Sequence, residues 1–144
     1  MTEHDKGHYA AKHPVDRLVD PVVAKAVMES QSNNEISCAV AFTIAEDLGV
    51  TPEEVGFTLD KHEITIIKCQ LGLYGYKPNR KIIKAADEVS PELEDAIRTG
   101  LVNDRFPCAV AWETAKKFGI RKMEISAACE ALGIKITPCQ LGAF

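Results

Sequence analysis

The chain contains no apolar run long enough to span a bilayer, which excludes a helical membrane anchor. Its opening residues, MTEHDKGHYAAKHPVDR, lack the apolar core of a secretory signal, so a cytoplasmic protein is expected. Cysteine occurs five times, an odd number, and never as CxxC; this argues against both a secreted disulfide framework and a zinc knuckle. Nor is there a surplus of positive charge. Lys and Arg number 17 against 21 Asp and Glu, and a net charge of -4 does not mark the whole molecule as a nucleic-acid binder. Signs of catalysis are missing too. The glycines of Gly72-Leu73-Tyr74-Gly75 precede no lysine-serine pair, and there is neither a nucleophile-elbow serine nor a His-Glu pair at helical spacing. An enzyme is not expected. What remains is an ordinary globular composition, 46% hydrophobic and 26% charged over 144 residues, enough for one domain or two very small ones.

The most informative feature present is a repeat. The string CQLG stands at Cys69-Gln70-Leu71-Gly72 and again at Cys139-Gln140-Leu141-Gly142. Sliding the chain by 70 residues also superposes Cys38-Ala39-Val40-Ala41 on Cys108-Ala109-Val110-Ala111, and Pro21, Asn33, Gly49 and Glu54 on Pro91, Asn103, Gly119 and Glu124. Conservative pairs fill the gaps, among them Val27 with Ile97, Phe42 with Trp112 and Val55 with Ile125. The chain therefore reads as an N-terminal tail (1–15), a first unit (16–76), a basic connector (77–85) and a second unit (86–144).

Each unit begins with a capping side chain and a proline, Asp20-Pro21 or Ser90-Pro91, which satisfy and spare the orphan amides of a first helix. A second helix starts near Cys38 or Cys108 and stops at Gly49 or Gly119, where glycine can take a positive φ. Thr51-Pro52-Glu53-Glu54 then supplies the cap, proline and capping-box glutamate of a third helix. Alternating β-branched residues follow, Ile64-Thr65-Ile66-Ile67 and Ile134-Lys135-Ile136-Thr137, and predict a strand. CQLG would end each strand, with Leu71 and Leu141 packing back on the helices and Gly72 and Gly142 allowing the turn.

The run A-x-x-x-A-x-x-L-G-V and the capped helix after it resemble the helix-turn-helix of bacterial transcription regulators. The wider pattern, a cysteine opening the second helix and CQLG closing the strand, is similar to small duplicated proteins of anaerobic bacteria, a likeness that informs architecture rather than activity. The resemblance implies a mainly α fold with short β wings, arranged as two tandem winged helix-turn-helix units. The helix-turn-helix likeness also implies a DNA-binding transcription regulator, for which the cysteines leave thiol or metal control open, the alternative being a protein-interaction adaptor on the same fold.

The two third helices differ in charge. Glu53, Glu54 and Asp60 would repel phosphate, which leaves the first unit for protein contact or pairing. Arg121 and Lys122 open the third helix of the second unit, with Ser126 further along and Lys116 and Lys117 just before. Two cations there oppose the helix dipole by up to about 1 kcal/mol each. They read either as phosphate contacts or as exposed charge offset by Glu124. The connector adds Lys77, Arg80, Lys81 and Lys84, which could follow a nucleic-acid backbone or form a solvated spacer.

Cys38 and Cys69 lie 31 residues apart, as do Cys108 and Cys139. If each pair meets in space, three readings compete: packing as small hydrophobes, a redox couple, or a metal site. Two thiolates fall short of the four ligands of a closed zinc site, so a metal would need both pairs brought together, within the chain or in a dimer, or nitrogen from His4, His8 or His13. The histidine-bearing tail is expected to be disordered, Cys129 to be core, and His62 to be partly buried.

Overall fold

A computed structural model describes residues 9–14, 16–77 and 81–144. It is mainly helical, with one small parallel sheet, and no helix among the described residues is long and apolar enough to cross a membrane. The chain divides into two compact units. One comprises the described residues up to Cys69 together with Gln140–Phe144; the other is Gln70–Cys139.

In the first unit, Asp20 accepts a hydrogen bond from the Val22 amide and Pro21 opens α1 (Pro21–Ser30), which buries Val23 and Val27. Asn33 and Asn34 take positive φ, a conformation that asparagine tolerates, and turn the chain into β1 (Glu35–Ser37). Ser37 caps α2 (Cys38–Leu48), which Gly49 stops at φ 65°. Thr51 caps α3 (Pro52–Lys61) by accepting from the Glu54 amide. The strand expected after the third helix is β2 (Thr65–Ile67).

Its pairing differs from a wing. β2 runs parallel to β1 in the register Glu35↔Thr65, Ile36↔Ile66 and Ser37↔Ile67, and no antiparallel hairpin follows α3 among the described residues. Parallel pairing needs a long crossover, and α2 with α3 supplies it. Ile36 and Ile66 point to the core while their neighbours are half-buried, the alternation a one-sided sheet demands.

The second unit repeats these elements at an offset of 70. Ser90 caps α4 (Pro91–Thr99), α5 (Cys108–Phe118) ends at Gly119 with φ 66°, and α6 (Lys122–Leu132) follows. The sheet is reduced to one parallel bridge, Phe106 with Ile136, at the positions of Ile36 and Ile66. Pro138 stands where the first unit has Lys68, just beyond the end of β2.

CQLG is divided between the units. Gln140-Leu141-Gly142 belongs to the first and Gln70-Leu71-Gly72 to the second, although each follows the other unit's strand in sequence. Leu71 and Leu141 are both buried, and both glycines have positive φ. In the first unit the Leu141 backbone lies so close to α3 that a Cβ on Gly56 would sit 1.9 Å from its carbonyl oxygen. The leucine completes the core of a unit from which the sequence separates it by most of the chain.

Candidate nucleic-acid interface and the cysteine pairs

In both units the residues that precede the first helix lie over the third helix. In the first unit Tyr9–Lys12 forms a 3-10 turn with Tyr9 fully buried. Both carboxylate oxygens of Glu63 accept at 2.8 Å, one from the Tyr9 amide and one from the Ala10 amide, while the Tyr9 hydroxyl lies 3.0 Å from Thr65 Oγ1. Asp60, only 2% exposed, lies 2.7 Å from His13 Nε2 and 3.2 Å from Lys12 Nζ. Arg17 stacks 3.6 Å from the centre of the Phe57 ring and reaches Glu54 at 3.3 Å. Under this cover Val55, Gly56, Phe57, Thr58, Leu59 and Asp60 are all buried. The tail expected to be disordered is instead ordered from Tyr9 to Pro14, because an aromatic anchor and a carboxylate that receives two amides hold it. His4 and His8 lie outside the described residues.

The second unit uses the same device with different residues. The Ala86 amide donates to Ala127 O at 3.0 Å, and Lys81 meets Glu130 at 2.6 Å. Glu130 stands 70 residues after Asp60, so each third helix offers an acid to a cation of the preceding segment. The glycines of CQLG match as well. Ile82 N donates to Gly72 O at 2.9 Å, and Lys12 Nζ, at the position equivalent to Ile82, donates to Gly142 O at 3.4 Å.

This arrangement sorts the expected interface residues. Ser126 is 1% exposed, and its hydroxyl finds no partner among the described residues; it belongs to the core and not to a readable face. Lys81 is held by Glu130, so the connector from Lys81 onward is a packed segment of the second unit rather than a spacer. Lys77 and Lys84 are exposed, and Arg80 lies outside the described residues. Arg121 is 87% exposed with Glu124 at 3.1 Å, and Lys122 lies over the Trp112 ring at 4.4 Å. Lys116 and Lys117 project from the last turn of α5, where positive charge also suits the helix dipole.

The turn between the second and third helices has the same backbone in both units. Val50 N donates to Ala45 O, and Ile120 N to Ala115 O, each at 3.0 Å. Its surface has changed sign. Glu46, Asp47, Thr51 and Pro52 of the first unit correspond to Lys116, Lys117, Arg121 and Lys122 of the second. Over the whole units, Gln70–Cys139 carries eleven Lys and Arg against nine Asp and Glu, and the rest of the chain six against twelve.

None of the five cysteines is in a disulfide. Cys38, Cys69, Cys108 and Cys129 are buried, and Cys139 is half-buried. Burial pushes the Cys129 thiol up to about 12, with the Glu130 charge adding to the effect, which suits an inert core thiol. The Cys108 amide donates to the Pro138 carbonyl at 3.1 Å, which places Cys108 beside the residue that precedes Cys139. No group of three or more His, Cys, Asp or Glu placed to hold a metal ion occurs among the described residues.

The sequence reading missed the roles of Tyr9, Asp60 and Glu63. The one available signal was a lone tyrosine in an otherwise polar tail. No protein-family model, curated protein or solved structure matches the chain.

Proposed function

We propose that the second unit holds a nucleic-acid duplex by its phosphates through the α5–α6 turn, as part of a DNA-binding, regulator-like protein built on tandem helix-turn-helix units. The observation that carries this reading is the change from Glu46, Asp47, Thr51 and Pro52 to Lys116, Lys117, Arg121 and Lys122 on one conserved turn geometry. A turn of this kind stands at the edge of the groove in helix-turn-helix proteins, where cations add affinity without reading bases. Because the connector packs on α6 at Ala127 and Glu130, the contact is backbone contact and not deep insertion of α6.

Retention on immobilised duplex DNA over a salt series tests it. Each phosphate contact contributes roughly 0.9 to the log–log salt slope, so Arg121→Ala with Lys122→Ala should flatten the slope by about two across unrelated sequences. An unchanged slope removes both residues from the interface. Passage through the column at low salt favours the second reading, a protein-interaction adaptor, which draws its own support from the covering of both third helices.

A further inference from the structure

We infer that Cys139 and Cys108 are a redox-responsive dithiol, which closes to an intramolecular disulfide on meeting a small-molecule disulfide. The inference rests on the second unit alone and is independent of DNA binding. The hydrogen bond from Cys108 N to Pro138 O makes the two cysteines backbone neighbours. That oxygen belongs to the peptide joining Pro138 to Cys139, and standard bond lengths then put the two Cα atoms no more than about 7 Å apart, at the upper end of the roughly 4.4–6.8 Å that a disulfide spans. Exposure divides the roles. Half-buried Cys139 can be reached by a reagent, whereas Cys108 is buried at the first residue of α5, where the positive end of the helix dipole favours a sulfur that is gaining negative charge.

The reaction proceeds in two exchanges. The Cys139 thiolate attacks one sulfur of R–S–S–R, forming Cys139–S–S–R and releasing the first thiolate R–S⁻. The Cys108 thiolate then attacks Cys139 Sγ, forming the protein disulfide and releasing the second R–S⁻. The protein loses two electrons and two protons, and one disulfide becomes two thiols. Cys38 and Cys69 occupy the equivalent positions of the first unit but are both buried, so no attacking thiol is presented there.

The test treats the native full-length protein with oxidised glutathione, followed by denaturing alkylation and peptide mass spectrometry. The expected result is a fall from five reactive thiols to three, with Cys108 and Cys139 in one cross-linked peptide pair. Cys108→Ser should stop at a glutathione adduct on Cys139, and Cys139→Ser should leave the native protein unreacted. Labelling of Cys129 reports unfolding and serves as the internal control. A stable glutathione adduct on Cys139 of the unmutated chain would overturn the inference, as would oxidation of Cys38 with Cys69 ahead of this pair.

Discussion

Replacing Tyr9 by alanine tests whether the N-terminal segment is part of the first unit's core. The side chain is fully buried, and removing a buried aromatic ring costs about 3–5 kcal/mol when the site cannot collapse. The hydroxyl contact with Thr65 accounts for a further 0.5–1.5 kcal/mol or so. Relaxation by peeling the segment away offers little relief. It would break the two bonds from the Tyr9 and Ala10 amides to Glu63, strip Lys12 and His13 from Asp60, and leave that carboxylate on a helix lined with Val55, Phe57 and Leu59. Urea unfolding at 25 °C should therefore show Tyr9→Ala losing at least about 3 kcal/mol and Tyr9→Phe only about 1. That is a large share of the roughly 5–15 kcal/mol that holds a domain folded. A loss below about 1 kcal/mol for Tyr9→Ala would refute the claim that the segment is integral to the core.

Gly56→Ala places a methyl group 1.9 Å from the Leu141 carbonyl, so backbone must move; a loss of about 1–3 kcal/mol is expected, with faster hydrogen exchange in the last five residues. Unchanged exchange there would mean that the tail is seated elsewhere. Cys129 makes stability depend on pH in one direction. The unfolded thiol ionises near its ordinary 9.0 while the folded one keeps its proton to about 12, so the folded state binds more protons between these values. The contribution is complete below pH 9 and is lost as pH rises toward 12. Urea midpoints for wild type and Cys129→Val should diverge in the variant's favour from pH 8 to 10.5, and a constant difference would sink the argument.

The helices were legible because their ends are written in local chemistry. Asp20-Pro21, Thr51-Pro52 and Ser90-Pro91 act within two or three residues, and each does in the structure what it promises in the sequence. β1 was not legible. Three residues, Glu35-Ile36-Ser37, are too few for their alternation to stand out in the sequence, and their strand character exists only through β2. The covering segments escaped for a related reason. Lys12 donates its side chain and Ile82 its backbone amide to equivalent glycines, so the contact recurs where the residue type does not. Among the candidate site residues, the exposed cations could be found by charge alone. The burial of Ser126 and the pairing of Lys81 could not, since both depend on which segment lies over α6.

The divided CQLG motif joins these observations. Each unit needs a Gln-Leu-Gly that follows the other unit's strand, and each closes on it with the segment that precedes its own first helix. A single copy bearing its own CQLG would have to bend that end back on itself or lend it to a second copy, which is the economy of a domain-swapped dimer. Fusing two copies satisfies the exchange within one chain and at a fixed ratio. It also releases the copies from identity. Only the buried positions must keep matching, as Val55 and Leu59 match Ile125 and Cys129, whereas an exposed turn with a shared backbone can pass from Glu46 and Asp47 to Lys116 and Lys117 without disturbing the fold. The charge difference between the units is thus the kind of change that packing neither requires nor resists.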